Sequence, residues 1–231
     1  MGELAFLFPS ADFIVPVFEM KFLDLLSIVA IVSTYGLFLC GIPICRNIAA
    51  KGNTDGITPA PFLLGSIGGF FWLRYGLLKG DNAVVTVNVI GFALQVAYLS
   101  FYWYYCRNRK TLNRQLLLIA ALSVSMLYYV SVGALTNFES TLNNLGLMCV
   151  VFNILNFGAP LAGLADVLQT RSTENLPLPL CAANLIVSCQ WFLYGSLVND
   201  NYIKYPNVIG IALSLVQLSL FLIYPRRVHV K

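Results

Sequence analysis

The chain has 231 residues, of which 58% are hydrophobic, 13% aromatic and only 10% charged. A soluble domain carries roughly 25% charged residues, and a single core of this size cannot hide so much apolar surface. A soluble enzyme, a nucleic-acid binder and a disordered protein are thereby excluded: the net charge is only +4 and its basic residues are scattered, without the basic stripe a nucleic-acid partner requires. Lipid is the natural solvent for such a surface.

Residues 1–20 are apolar but broken by Pro9, Asp12 and Pro16 and lack a basic leader, so they read as a non-spanning N-terminal segment. Seven apolar stretches follow, each long enough for a transmembrane helix of about 20 residues. They run over 22–48, 61–78, 82–106, 112–135, 142–168, 177–198 and 202–224. The connections are short and leave no room for a separate soluble domain. Arg46, Lys51, Arg107, Arg109, Lys110, Arg114, Arg171, Arg226, Arg227 and Lys231 fall on one side, against Lys21, Lys79 and Lys204 on the other. Basic residues collect in the cytosol, so the C-terminus is expected there and the N-terminus outside or in a lumen. Arg74 lies within the second span near its outer end, placed to snorkel.

The six cysteines, Cys40, Cys45, Cys106, Cys149, Cys181 and Cys189, form no C-x-x-C pair and read as small buried hydrophobes. The one histidine, His229, sits in the tail and leaves no basis for histidine catalysis or a metal cluster. No cofactor is expected.

Shifted by 119 residues, the chain matches itself. Trp72, Tyr75 and Gly76 fall on Trp191, Tyr194 and Gly195; Asp81-Asn82 falls on Asp200-Asn201; and 88–91 falls on 207–210. Over 72–105, 15 of 34 positions coincide, where chance gives roughly two or three, so the repeat is real. With small indels, Pro43 pairs with Pro160 and Pro61 with the Pro177/Pro179 cluster. The chain therefore divides into a first three-helix repeat (21–106), a linker helix (107–138), a second three-helix repeat (139–225) and a short tail (226–231). The fold class is an all-α membrane protein of 3+1+3 helices. An odd linker keeps the repeats parallel, a plan of membrane transporters whose substrate sites lie at the repeat interface near the midplane.

Asn88 lies about six residues, or roughly 9 Å, into the third span, and Trp72 lies at a similar depth in the second. The repeat copies both at Asn207 and Trp191. A hexose hydroxyl donates and accepts, as an asparagine amide does, and its C–H faces pack on an indole. The alternatives are that the asparagines glue helices together and that the tryptophans belong to the interfacial belt. Asn153 and Asn156 share a face of the fifth span and could look into the same pocket. Counted back from the prolines, their mates are Gly36 and Leu39. Pro43 and Pro160 each remove a backbone hydrogen bond from a helix, giving either a static kink or a hinge. Tyr75, Asp200 and Lys79 lie near the outer ends of the spans, either closing an outer gate or standing in solvated loops. No carboxylate or histidine lies at the midplane, where proton-coupled carriers need one, which predicts a uniporter.

These residues resemble the SWEET sugar transporters along nearly all the chain after residue 21. The resemblance rests on Pro43, on Thr54 with Pro61-Phe62, on W-x-x-Y-G at 72–76 and 191–195, and on Asn88 and Asn207 followed by glycine. The stretch from Pro160 to Thr173 looks like an animal member, and the Pro-Gln dipeptide of the related PQ-loop amino-acid exporters is absent from the sequence. That family is itself an example of parallel repeats. The resemblance implies bidirectional, low-affinity transport of sugars, monosaccharides such as glucose among them, by alternating access without ion coupling. It implies that Asn88 and Asn207 hydrogen-bond the sugar and that Trp72 and Trp191 line its pocket. It implies hinges at Pro43, Pro61, Pro160 and Pro177, residence in the plasma membrane or an internal membrane such as the Golgi, and homo-oligomers. Two other readings stay open: a carrier of another small solute such as an amino acid, and a seven-span sorting receptor.

Overall fold

The computed structural model describes residues 11–225, with side chains from Lys21 onward. The residues before Ala11 lie outside the described part, as does the tail with Arg226, Arg227, His229 and Lys231. The described residues form nine helical segments and no strand. These are α1 (Ala11–Phe38), α2 (Gly41–Lys51), α3 (Ala60–Lys79), α4 (Asn82–Tyr105), α5 (Arg109–Thr136), α6 (Phe138–Asn156), α7 (Gly158–Thr170), α8 (Leu178–Leu197) and α9 (Asn201–Ile223). The segment expected not to span is already helical from Ala11.

Nine segments reduce to seven because two spans are each broken once, just before a proline. A proline in a helix has no N–H and its ring clashes with the carbonyl four residues back. For Pro43 that carbonyl belongs to Leu39, and α1 ends at Phe38 with Leu39 and Cys40 in a turn. For Pro160 it belongs to Asn156, the last residue of α6, with Phe157 alone at the break. Tightened bonds bridge both breaks, Cys40 N–H to the Leu37 carbonyl (3.0 Å) and Phe157 N–H to the Ile154 carbonyl (3.1 Å).

The arrangement is two parallel three-helix repeats joined by α5. Within each repeat the second and third helices pack tightly, α3 on α4 and α8 on α9. Glycine permits both crossings: a Cβ on Gly76 would lie 3.0 Å from Val84 Cγ1, and one on Gly195 3.0 Å from Ile203 Cγ2. The first helix of each repeat crosses to the other repeat, α1 packing on α8 and α6 on α3. Ala30 of α1 and Cys149 of α6 are fully buried in these two contacts.

Among the described residues six spans, counting each broken pair once, are long and apolar enough to cross a membrane. Helix α3 is not among them. It carries Arg74 and the small residues Gly65, Ser66, Gly68, Gly69 and Gly76, and it buries eight of its residues against neighbouring helices. Its surroundings are protein more than lipid. Helix α5 is the reverse: Leu117, Val124, Tyr128 and Leu135 are each more than 60% exposed, an apolar periphery that only a bilayer solvates.

Candidate functional site

A cavity of about 490 Å³ lies between the repeats. Among its lining residues are Trp72, Trp191, Asn88, Asn207, Asn153, Asn156 and Pro61, so the six side chains singled out for substrate are brought to one space. No described lining residue carries a charge. Its polarity comes from amides and a hydroxyl, groups that suit a neutral, hydroxyl-rich solute.

The lining is built twice. Asn88 donates its amide N–H to the Val84 carbonyl (2.8 Å), and Asn207 donates to the Ile203 carbonyl (2.7 Å). Each bond fixes the amide on its own helix and leaves one N–H and the two lone pairs of Oδ1 for a ligand. The indole of Trp72 donates to Asn153 Oδ1 (3.2 Å), and that of Trp191 donates to Thr34 Oγ1 (2.9 Å). These bonds join the second helix of one repeat to the first helix of the other, and they set the indoles in the cavity wall rather than in an interfacial belt.

The paired indole bonds correct the expected mates of Asn153 and Asn156. Gly36 and Leu39 are exposed, and neither lines the cavity. The residues in the corresponding places are Thr34 and Leu37, which do line it. The shift of 119 therefore holds up to the helix break, and Phe38 and Phe157 obey it as well: a Cβ on Gly91 would strike Phe38, and one on Gly210 would approach Phe157. The first repeat has two residues in its break and the second has one, so counting back from the prolines loses the register.

One helical turn from each tryptophan, a tyrosine crosses to an aspartate of the other repeat. Tyr75 donates to Asp200 Oδ2 (2.9 Å), and Tyr194 donates to Asp81 Oδ1 (2.8 Å). Tyr75 is 1% exposed and Asp200 2%, so neither is a solvated loop residue. Each tyrosine also packs edge-on against its tryptophan, with ring centroids 5.6 and 5.4 Å apart. Both aspartates are helix N-caps: Asp81 accepts from Val84 N–H, and Asp200 accepts from the N–H groups of Tyr202 and Ile203. The positive end of each helix dipole favours an acidic side chain at this position. Lys79 adds an ion pair to Asp200. At the Asp81 side the position corresponding to Lys79 is Val198. The Tyr194–Asp81 contact was legible in the repeat, which aligns Asp81 with Asp200 and Tyr194 with Tyr75, but only one of the two contacts was anticipated.

The prolines lie toward the opposite end. Pro43, Pro160 and Pro177 do not line the cavity. Pro61 is the second residue of α3, and in α8 that place belongs to Pro179, while Pro177 occupies the N-cap position held by Pro59 in α3. Two buried side chains hold the broken spans. Tyr98 of α4 donates to the Phe38 carbonyl (3.1 Å), whose expected partner, the Ile42 N–H, has turned to Leu39. Gln217 of α9, 119 positions after Tyr98, donates to the Pro160 carbonyl (3.0 Å). Sequence reasoning also missed Asn184 and Gln95, which line the cavity; Asn184 aligns with Gly65, so the repeat gave no signal for it. Among the described residues no three His, Cys, Asp or Glu side chains gather as a metal site.

Two stretches of the chain, residues 24–110 and 143–229, match the family described as sugar efflux transporter for intercellular exchange. The chain is 47% identical over 90% of its length to the sugar transporter SWEET1 of Caenorhabditis elegans, covering 68% of that protein. It is 39% identical to the human sugar transporter SWEET1, over 85% of this chain and 88% of that one. The solved structure of a eukaryotic SWEET transporter superposes with a TM-score of 0.80 at 26% identity, covering 90% of this chain and 98% of that one.

Proposed function

Because the chain belongs to the family of sugar efflux transporters for intercellular exchange, we propose that it carries sugars across a membrane in both directions by alternating access, as a uniporter. The observation that carries this reading is the uncharged cavity at the repeat interface, with its twofold set of asparagines and indoles. In this mechanism Asn88 and Asn207 hydrogen-bond the hydroxyls of a monosaccharide such as glucose. Trp72 and Trp191 pack against its C–H faces, and Asn153 and Asn156 add acceptors and donors on one side. Asp200 with Tyr75, and Asp81 with Tyr194, close the end of the cavity away from the prolines. The helices rearrange about Pro43, Pro61, Pro160 and the Pro177/Pro179 pair. That no described lining residue is charged favours a neutral sugar over an amino acid, whose carboxylate and ammonium groups want fixed partners. No catalytic step is involved.

The distribution of basic residues supports a cytosolic C-terminus, with the tyrosine–aspartate end facing outside or a lumen. The plasma membrane is the proposed site of action. Family resemblance supports self-association into homo-oligomers. The test is uptake and efflux of radiolabelled hexose in proteoliposomes, with and without a proton gradient. Flux in both directions, indifferent to the gradient, is the expected result. Absence of flux from folded, reconstituted protein refutes sugar transport, and dependence on the gradient refutes uniport.

A further inference from the structure

A second concavity, of about 310 Å³, lies on the far side of α3 and α4 from the sugar cavity, where α5 packs against them. Its walls are mostly apolar, with Phe70 of α3, Phe92, Val96 and Trp103 of α4, and Leu116 and Ile119 of α5. From Phe92 to Trp103 the groove follows α4 for roughly 16 Å at 1.5 Å per residue. That is about half of a ~30 Å hydrocarbon core, the depth of one leaflet.

The end of the groove at Trp103 is basic. The Arg109 guanidinium lies 4.2 Å from the centroid of the Trp103 ring, and the Trp103 indole is fixed by donating to Asn113 Oδ1 (2.8 Å). Lys110 and Arg114 stand exposed on the same helix. These cations occupy the first turns of α5, where the helix dipole disfavours positive charge. That helix start has no acidic residue and no side-chain cap. Topology requires basic residues in this connection, but it requires neither an apolar groove one leaflet deep nor a guanidinium stacked at its mouth. Trp103 and Tyr104 are 37% and 69% exposed, as aromatic residues at headgroup level are.

We propose that this groove binds an anionic phospholipid, with one acyl chain along α4 and the phosphate headgroup on Arg109, Lys110 and Arg114. The charges at the mouth select the headgroup, and the groove selects a lipid over a soluble anion. Helices α3 and α4 are walls of both the groove and the sugar cavity, so an occupied groove bears on the helices that enclose the substrate.

The test is lipid retention by the detergent-purified full chain, read by native mass spectrometry after incubation with equal amounts of phosphatidylserine and phosphatidylcholine. The wild-type protein is expected to retain phosphatidylserine in preference. The variant R109Q/K110Q/R114Q is expected to lose that preference by roughly fivefold for each charge removed, while its hexose flux in phosphatidylcholine vesicles stays that of a folded carrier. Ser123→Phe, which fills the groove, is expected to lower retention of both lipids. Equal retention of the two lipids by the wild-type protein overturns the proposal, as does an unchanged preference in the glutamine variant. Displacement of phosphatidylserine by inorganic phosphate also overturns it, because the site would then hold an anion and not a lipid. The exposed glutamine substitutions keep the test decisive should Ser123→Phe fail to fold.

Discussion

On the alternating-access reading, the two tyrosine–aspartate contacts exist only while the cavity is closed at that end, so weakening them should open it. Tyr75→Phe removes one hydroxyl donor from Asp200 and keeps the ring packed against Trp72 and Tyr202. A hydrogen bond to a charged group contributes about 1.5–3 kcal/mol, so the closed-to-open ratio should fall roughly ten- to a hundredfold. Tyr194→Phe removes the equivalent bond to Asp81 and should act with similar size. The two bonds share no atom, and their effects should add unless the aspartates are coupled. Lys79→Met leaves Asp200 buried with one fewer partner, a loss of about 3–5 kcal/mol for a fully buried pair. The Lys79 side chain is 25% exposed against 1% for Asp200, so the lower end of that range is expected. The assay is the labelling rate of a single cysteine at Val87, a buried cavity residue, in a chain whose six native cysteines are replaced. A membrane-impermeant thiol reagent is added from the tyrosine–aspartate side. Faster labelling in all three variants is expected. An unchanged rate in Tyr75→Phe and Tyr194→Phe alike would refute the idea that these bonds are made and broken during the cycle.

Three further predictions concern the cavity and the helix breaks. Asn88→Ala and Asn207→Ala should each abolish hexose flux while the protein still reaches the surface, and normal flux in either would show that the amide does not hold substrate. Pro43→Ala restores a backbone N–H within reach of the Leu39 carbonyl and should lengthen α1 across its break; exchange should slow more than binding weakens, and equal losses in both would argue for a static kink. Tyr98→Phe leaves the Phe38 carbonyl without its partner, at a cost of about 1–3 kcal/mol; a thermal midpoint equal to that of the wild-type protein would show that the bond contributes nothing to holding the break.

Much of this was legible because the sequence states it twice. Trp72 and Asn88 are weak signals alone, but with Trp191 and Asn207 in the same register they define a common layer, and the structure brings all four to one cavity. The prolines at 43 and 160 were readable as helix distortions because the missing N–H is a covalent fact. What the break does to register was not readable. Whether a proline is absorbed by one residue or two depends on how the next helix packs, and here Tyr98 fills the space beside Gly41 in the first repeat. That difference misplaced the mates of Asn153 and Asn156. Asn184 and Gln95 were missed for the opposite reason: their counterparts are Gly65 and Ser214, so neither is marked by repetition, and only packing shows that they line the cavity.

The departures from symmetry are where the two halves must differ energetically. Both aspartates cap a helix and accept a tyrosine, yet only Asp200 has a lysine, and it takes two backbone N–H groups where Asp81 takes one. On the alternating-access reading the same wall is therefore latched unequally, and the Asp200 contact should be the last to release. At the other end, the two breaks are held by a phenol in one repeat and an amide in the other. Gln217 is 3% exposed and bonds within α7 beyond its break, whereas Tyr98 bonds the last residue of α1 before its break. One half is thus clamped on the cavity side of its break and the other on the far side. A symmetric pair of repeats opening by equal rotations would need no such difference. The first clamp joins α1 to α4, on which α2 also packs through the fully buried Ile48, whereas the second joins α7 to α9 beyond its break.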